Sequence, residues 1–316
     1  MTDAAGRRIR AVRWARRARV PAAAVLAALV ACSLTACLGP DARVPEGRDA
    51  VRTVPLAEAE ALTQAVADVV PADLRPDERA LFRRRGEAGA VWSASPMNGF
   101  DLTGLSWGGG RAALVTDRHV VFAAHGIFPQ VGGTLTFYDR DGWPIVREVV
   151  AKAVLPRLGG ADLDVAVGRL DAPVPGGVAI YALPEVDPVA LAAMARARPP
   201  VVVTFARGGR DRNGDLGWDA FATVSSLARV TAGGARVVYA RQTPLLDDPE
   251  TEHAALWGDS SSASFLAQDG TLLLFSHYHT NQGAGAGPNY ADGRVQALLR
   301  EAITQLDAQQ DAPPRP

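Results

Sequence analysis

Short apolar runs separated by turn residues fill the chain from Ala88 onward, and this pattern limits the fold more than any other feature. Such runs, bounded by glycine, proline, asparagine or aspartate, are typical of β-strands. The first predicted strands are 91–92, 114–115, 120–122, 135–138, 145–154 and 165–170, with a hairpin turn at 139–142. A second set follows at 178–183, 201–206, 221–227, 236–240, 263–267 and 271–278. Because six strands suit one antiparallel barrel, the sequence predicts an all-β fold.

Two other stretches have the spacing of amphipathic helices. The stretch 56–70 carries apolar residues on one helical face, and we expect it to pack against the body of the protein. Near the C-terminus the same spacing recurs at Val295, Leu298, Leu299, Ile303 and Leu306. Between the two sets of strands lies a segment rich in proline and alanine, which we interpret as their connection.

The N-terminus has the features of a bacterial export signal. Seven arginines crowd the first 19 residues, and an apolar run follows at 20–36. Two motifs, Leu-Val-Ala-Cys ending at Cys32 and Leu-Thr-Ala-Cys ending at Cys37, resemble the lipobox of bacterial lipoproteins. We favour Cys37 as the lipidated residue, with Cys32 as the alternative, because the chain turns polar directly after Cys37. An uncleaved anchor helix is the competing interpretation.

These features predict an exported protein, lipid-anchored in the bacterial cell envelope. Residues 1–37 are interpreted as the signal peptide, and 38–85 as a tether followed by the amphipathic helix. The first part of that tether, 38–55, is rich in glycine, proline and charged residues, a composition typical of solvated linkers.

Charge and cysteine content exclude several classes of protein. The 33 basic and 34 acidic residues nearly cancel, so no overall field favours nucleic acid. Both cysteines lie in the N-terminal segment, which leaves the folded part without a disulfide. The sequence carries no phosphate loop, no nucleotide-binding fingerprint and no Gly-x-Ser-x-Gly elbow. We therefore expect no cofactor.

Three stretches carry residues suited to nucleophilic catalysis. The first ends in Ala-Ala-His at His125, and the second has an acid, Asp164, directly before an apolar strand. The third is Gly258-Asp259-Ser260, a tight corner leading into another apolar strand. A serine hydroxyl needs a base in hydrogen-bond contact and a group that orients the base. A histidine, an acid and a serine in this order follow one known arrangement of such a triad.

The three stretches resemble the motifs of the trypsin/chymotrypsin-like serine peptidases, which are approximately T-A-A-H, D-I-A-L-x-x-L and G-D-S-G-G-P. The resemblance covers about residues 86 to 308. It implies two six-stranded antiparallel β-barrels, at 86–183 and 184–310, with catalytic groups in the cleft between them. The predicted C-terminal helix resembles the C-terminal helix of the family.

The resemblance also assigns catalytic roles. Ser260 would be the nucleophile, His125 the base, and Asp164 the group that orients the histidine. Asp162 competes with Asp164, but the family places the acid immediately before the strand. The backbone N–H groups of Gly258 and Ser260 would form the oxyanion hole.

The expected substrate contacts lie on both sides of the nucleophile. Ser276, His277 and Tyr278 fall where the family pairs with an extended peptide, and Ser276 matches its serine beneath the triad acid. Ala254 and Trp257 would line the primary specificity pocket. Because Ala254 stands about where trypsin has an acid, we expect an apolar or small side chain there and not arginine or lysine.

Departures from the family motif keep a second hypothesis open. Ser261 replaces a glycine and Ala263 a proline, and Asp259 cannot pair with a new N-terminus if the N-terminus is lipidated. The alternative to a serine endopeptidase is therefore an inactive relative that serves as a surface binding module. We expect a peptide or protein substrate, and the sequence leaves the oligomeric state open.

Metal binding is a further alternative. His277 and His279 stand two apart on a predicted strand, so they share a face and could bind zinc with His253. No carboxylate or cysteine ligands lie near them in sequence, and we predict no metal site. The oxygen-rich stretch 211–219 departs from a calcium loop and is better interpreted as an Asn-Gly hairpin turn.

Overall fold

Antiparallel strands form most of the structure, a computed structural model of the chain. It describes residues 47–85, 88–125, 129–207, 219–240, 243, 245–246, 260–279 and 285–310. The predicted signal peptide and both candidate lipidation cysteines, Cys32 and Cys37, lie outside these ranges. Within the ranges, we find no helix with both the length and the apolar character that a membrane crossing needs.

The strands are short and follow one another closely. In chain order they are β1 (Thr53–Pro55), β2 (Ala80–Arg84), β3 (Ala90–Trp92), β4 (Leu105–Ser106), β5 (Ala112–Leu114), β6 (His119–Ala123), β7 (Thr134–Tyr138), β8 (Pro144–Val154), β9 (Val165–Leu170), β10 (Leu183–Glu185), β11 (Val201–Arg207), β12 (Ala220–Thr231), β13 (Arg236–Ala240), β14 (Ala263–Gln268), β15 (Thr271–His277) and β16 (Ala286–Pro288). The helices are α1 (Ala59–Ala67), α2 (Pro188–Ala197) and α3 (Gly293–Gln310).

The first six-stranded sheet is a nearly closed antiparallel barrel with the order β4-β5-β6-β9-β8-β7. Its two end strands approach each other at Thr136. The N–H of Trp107 donates to the Thr136 carbonyl at 2.9 Å, and the Thr136 N–H donates to the Gly108 carbonyl at 2.9 Å. The predicted hairpin at 139–142 joins β7 to β8, and Gly142 has a positive φ of 84° there. Only glycine adopts that conformation without a steric cost.

The second sheet is a half-barrel with the order β15-β14-β11-β12-β13-β16, to which β2 and β3 are added beside β12. At its open side, the His279 N–H donates to the Ala286 carbonyl at 2.8 Å, and the Tyr290 N–H donates to the Phe275 carbonyl at 3.0 Å. These bonds bring β15 close to β16. The architecture fits the predicted chymotrypsin-like fold of two β-barrels with a C-terminal helix.

Two predicted strands were wrongly assigned. Of the stretch 178–183, only residue 183 is strand; it begins β10, which pairs with β1 in a separate two-stranded sheet, while β16 is the sixth strand of the second sheet. The other is the strand at 91–92, which was assigned to the wrong barrel. The strand at 91–92 exists as part of β3, but it pairs with β2 in the second sheet, and β4 takes its place in the first barrel. The reason is the ring of Phe82 on β2, which packs edge-on against Trp92 at 5.2 Å and Trp107 at 5.1 Å. The boundary predicted between residues 85 and 86 therefore falls between two strands of one sheet.

The core follows the alternation of side chains along the strands. On β6, Val120 and Phe122 join an apolar cluster among the strands of the first barrel. Val121, which points the other way, joins a larger cluster shared with the second sheet and α3. Because β6 is buried on both faces, the strand that leads to His125 is firmly held.

Two of the helices were predicted and one was not. Helix α1 lies inside the predicted stretch 56–70 and buries Leu62 and Val66. Helix α3 contains the predicted C-terminal pattern. Helix α2 lies in the connection between the two sheets, where Asp187 caps its first N–H groups and Pro188 begins it. An Asp-Pro start of this kind is a helix signal that the sequence interpretation missed.

Candidate active site

Strand pairing places His125 beside Asp164. Strands β6 and β9 are antiparallel, with Ala123 opposite Val165. His125 follows the end of β6, and Asp164 precedes the start of β9, so both lie at the same edge of the first barrel. The N–H of Ala124 donates to the Asp164 carbonyl at 3.0 Å, which continues the strand ladder to the site.

The three predicted catalytic side chains are brought together. Asp164 accepts from the His125 backbone N–H at 2.7 Å and also contacts the ring nitrogen Nδ1 through Oδ2. On the other side of the ring, His125 Nε2 lies 2.8 Å from Ser260 Oγ. Because a carboxylate only accepts hydrogen bonds, Nδ1 carries the proton and Nε2 accepts from the serine hydroxyl. This is the tautomer that a general base requires.

Asp164 is buried, with 5% of its surface exposed. Burial alone would raise the pKa of its carboxyl group, but the neighbouring imidazoles of His279 and His125 and the His125 backbone N–H lower the pKa to about 2. The residue has a φ of 54°, in the left-handed region, and its N–H donates to Asp162 Oδ1 at 2.9 Å. Asp162, the competing acid in the sequence, thus bonds to the backbone of Asp164, and it is Asp164 that contacts the histidine.

Ser261 occupies the position where the family motif has glycine, and its backbone is left-handed with a φ of 72°. Its side chain points away from His125 and is buried. Its Oγ accepts from the Ala123 N–H at 2.9 Å, and its own N–H donates to the Tyr278 carbonyl at 2.9 Å. A side chain therefore fits at this position because it fastens the nucleophile corner to β6.

Ser262 makes a second connection between the two sheets. Its Oγ accepts from Arg111 Nη1 at 2.7 Å, and it is almost fully buried. With the hydroxyls of Ser261 and Ser262 both engaged, the one facing His125 among these consecutive serines is that of Ser260. Its role as nucleophile stays a prediction.

The predicted substrate-pairing residues Ser276, His277 and Tyr278 are buried in the structure. The Ser276 hydroxyl donates to the His277 carbonyl at 3.3 Å, and Tyr278 packs edge-on against Tyr239 at 5.8 Å. On the edge that a substrate would use, a Cβ at Gly287 would lie 1.8 Å from the His277 carbonyl oxygen. In this conformation β16 occupies that edge.

His277 contacts the backbone of Asp164. Its Nε2 lies 3.2 Å from the Asp164 carbonyl, and its Nδ1 lies 2.7 Å from the Tyr290 hydroxyl. Burial lowers the pKa of His277 to about 4, so the ring is neutral at pH 7. Nε2 must then donate to the carbonyl, and Nδ1 accepts from the tyrosine hydroxyl.

His279, considered in the sequence only as a possible zinc ligand with His277 and His253, lies at the site, and its contact with Asp164 was not predicted. Its Nδ1 lies 2.6 Å from Asp164 Oδ2, and its ring stands edge-on to the His125 ring with centroids 5.5 Å apart. The shared face of His277 and His279 was recognised in the sequence, and both do face Asp164. Their tertiary partner, on a strand more than a hundred residues earlier, carried no sequence signal.

Within the part of the chain that the structure describes, His125, Asp164 and His279 form a group that could hold a metal ion, since one ligand atom of each lies within 4.8 Å of the others. Ligand atoms on a tetrahedral zinc with bonds of about 2.0 to 2.1 Å lie about 3.3 Å apart. Here His279 Nδ1 is only 2.6 Å from the carboxylate oxygen, and His125 Nδ1 is closer still. These separations are shorter than those between ligand atoms around a zinc ion.

Several predicted residues lie outside the described ranges. They are the oxyanion-hole residue Gly258, the pocket residues Ala254 and Trp257, the proposed zinc ligand His253 and the motif acid Asp259. Their roles stay predictions.

Comparison with known proteins does not identify a family for this chain. No protein-family model matches the chain, and no curated protein matches it. The case for function therefore rests on the fold and on the arrangement of side chains at the site.

Proposed function

We propose that the protein is a serine endopeptidase of the trypsin/chymotrypsin type. The observation that carries the proposal is the continuous contact from Asp164 through the His125 ring to Ser260 Oγ. The two-barrel fold supports it, because the three residues come from the ends of strands on two different sheets. A triad is recognised by this geometry and by the roles of its members.

The proposed reaction follows from the protonation states. Ser260 Oγ attacks the carbonyl carbon of the peptide bond while His125 Nε2 takes its proton. The imidazolium is stabilised by Asp164, which stays ionised at neutral pH because its pKa is about 2. His125 then passes the proton to the leaving amine, and water releases the acyl group by the same steps. The proposed oxyanion donors are the N–H groups of Gly258 and Ser260, and each such donor is typically worth about 3 to 4 kcal/mol of barrier.

A second candidate function is that of a binding module without peptidase activity. The covered edge of β15 favours it, since residues 276–278 cannot pair with an extended peptide while β16 lies beside them. In this alternative the triad side chains hold the two sheets together. The two candidates differ in whether Ser260 is chemically activated.

We further propose that the protein is attached to the bacterial envelope through a lipid on Cys37, on the basis of the sequence motif alone. Growth of an expressing bacterium with an alkyne fatty acid is the test. We expect lipid on the wild-type chain and on Cys32→Ala, and none on Cys37→Ala. Loss of lipid only in Cys32→Ala would show that Cys32 is the lipidated residue. A wild-type chain without the alkyne label would contradict the proposed lipid anchor.

The peptidase proposal is tested by labelling the exported protein with a fluorophosphonate, a probe that reacts with activated serines. Wild type and Ser261→Ala are expected to label, because the Ser261 hydroxyl contacts Ala123 and not His125. Ser260→Ala and His125→Ala are expected not to label. A folded wild-type protein that does not react would favour the binding module. Cleavage of a peptide library by wild type, but not by Ser260→Ala, would then distinguish a peptidase from another serine hydrolase.

A further inference from the structure

His279 contacts both Asp164 and His125 of the proposed triad. The family resemblance predicts that Ser276, and not His279, supports the triad acid. The Ser276 hydroxyl bonds to the His277 carbonyl instead. The Oδ2 atom of Asp164 is contacted by Nδ1 of His125 and by Nδ1 of His279, the latter at 2.6 Å. The place of a supporting hydroxyl is thus taken by an imidazole.

The backbone around His279 is held firmly. Its N–H donates to the Ala286 carbonyl at 2.8 Å, which ties the end of β15 to β16. Gly285, with a φ of 129°, packs so closely on Tyr278 that a Cβ would lie 1.7 Å from the ring. The bond to Ala286 and the close approach of Gly285 to Tyr278 thus fix the backbone on which the His279 side chain is carried.

The position of His279 has two physical consequences for the proposed triad. Its Nδ1 approaches Oδ2, the same oxygen that meets His125, so it limits rotation of the carboxylate. Its ring, 21% exposed, stands edge-on to the His125 ring and packs beside a carboxylate side chain that is itself only 5% exposed. Excluding water from a carboxylate strengthens its interaction with a neighbouring imidazolium.

We infer that His279 is a positioning residue of the site, which holds Asp164 and the His125 ring in their reactive arrangement. The inference rests on the proposed function, and it deepens that proposal by adding a fourth side chain to the machinery. The side-chain contacts of His279 at the site are with Asp164 and with the His125 ring. Its effect passes through Asp164, so it belongs to the rate of the chemical step and not to substrate binding.

Asparagine and leucine at position 279 form a matched pair of variants. The two side chains have nearly the same shape, but only asparagine has a donor near the position of Nδ1. In full-length protein we expect His279→Leu to react with the fluorophosphonate about 10- to 100-fold more slowly at saturating probe, with its half-saturating concentration unchanged. His279→Asn should react close to the wild-type rate. Equal rates for His279→Leu and wild type, or a faster rate, would overturn the inference.

A second measurement does not depend on hydrolase activity. In ¹⁵N-labelled protein the Nδ1 proton of His125, held against Asp164, is expected to give a protected low-field resonance in wild type and His279→Asn. In His279→Leu we expect the resonance to broaden or disappear through exchange with water, at an unchanged thermal unfolding midpoint. If the wild-type chain shows the resonance but does not react with the fluorophosphonate, the peptidase proposal is contradicted while the role of His279 is not. An identical resonance in His279→Leu and wild type would contradict the inference that His279 positions Asp164 and His125.

Discussion

Ser261 shows how a residue with a side chain is accommodated at a left-handed backbone position. A left-handed backbone costs a residue with a Cβ about 1 to 2 kcal/mol relative to glycine. The Ser261 hydroxyl offsets part of this cost by accepting from the buried N–H of Ala123, which would otherwise lack a partner. The Ser261 side chain is thus part of the contact between the two sheets.

Two substitutions separate these contributions. Ser261→Ala loses the hydroxyl and keeps the left-handed strain, so we expect it to lower the free energy of unfolding by about 1 to 3 kcal/mol. Ser261→Gly also loses the hydroxyl but removes the strain, so it should be more stable than Ser261→Ala by about 1 kcal/mol. Urea unfolding of the three proteins measures both differences. Equal stability of the alanine and glycine variants would mean that position 261 is not held left-handed.

The side chains of the proposed triad could be picked out in the sequence because each lies beside a strand whose pattern is local. Asp164 could be chosen over Asp162 since it directly precedes β9, and the structure gives the two acids different tasks. His279 could not be assigned because its partner is fixed by the docking of two sheets. The burial of His277 was likewise set by the approach of Tyr290, a contact across two strands that no spacing records.

Helix α3 is fastened to the first barrel by a small polar cluster. Asp307 accepts from Arg169 Nε at 2.9 Å and lies 3.3 Å from His119 Nε2. The other ring nitrogen of His119 is 2.8 Å from the Thr116 hydroxyl. Burial lowers the pKa of His119 to about 4, although the charge of Asp307 opposes the change. The ring is therefore neutral in the folded protein at pH 7.

The same cluster predicts a loss of stability in acid. The unfolded chain binds a proton on His119 near pH 6.5, whereas the folded protein resists it down to about pH 4. Stability from this group is thus complete above pH 6.5 and is lost as the pH falls towards 4. At pH 5 the expected loss relative to pH 7 is about 2 kcal/mol for this histidine. His277, with the same pKa, adds a loss in the same direction.

Urea unfolding of wild type and His119→Asn at pH 7 and pH 5 measures this contribution. We expect the wild type to lose more stability between the two pH values than the variant, which keeps only the contribution of His277 and of the other acid-sensitive groups. Identical losses would show that His119 is not buried as a neutral ring.

Elements with a strong pattern were predicted, and those defined by long-range pairing were not. The strands at 120–122, 135–138 and 165–170 have apolar runs that reflect burial on one or both faces. Strand β2 was not predicted, because it lies within 38–85, which the sequence assigned to a tether and an amphipathic helix. It forms because Phe82 packs on an aromatic cluster and Arg84 pairs with Asp219 at 3.1 Å.

The two sheets meet at the candidate active site through contacts that no single sheet can make. Ala123 bonds to Ser261, Arg111 to Ser262, and His277 to the Asp164 carbonyl. Residues 53–55, which the sequence placed in a tether, pair in parallel with β10, so the N-terminal segment also belongs to the folded body. The proposed triad is therefore complete only when both sheets are docked.

The central claim is that Ser260 is the activated nucleophile of this docked arrangement. Mass spectrometry of the fluorophosphonate-treated wild-type protein, after digestion, identifies the modified residue directly. We predict one phosphonate per chain, on Ser260, and none when His125 is replaced by alanine. A phosphonate on Ser261 or Ser262, or an unmodified folded protein, would contradict the account.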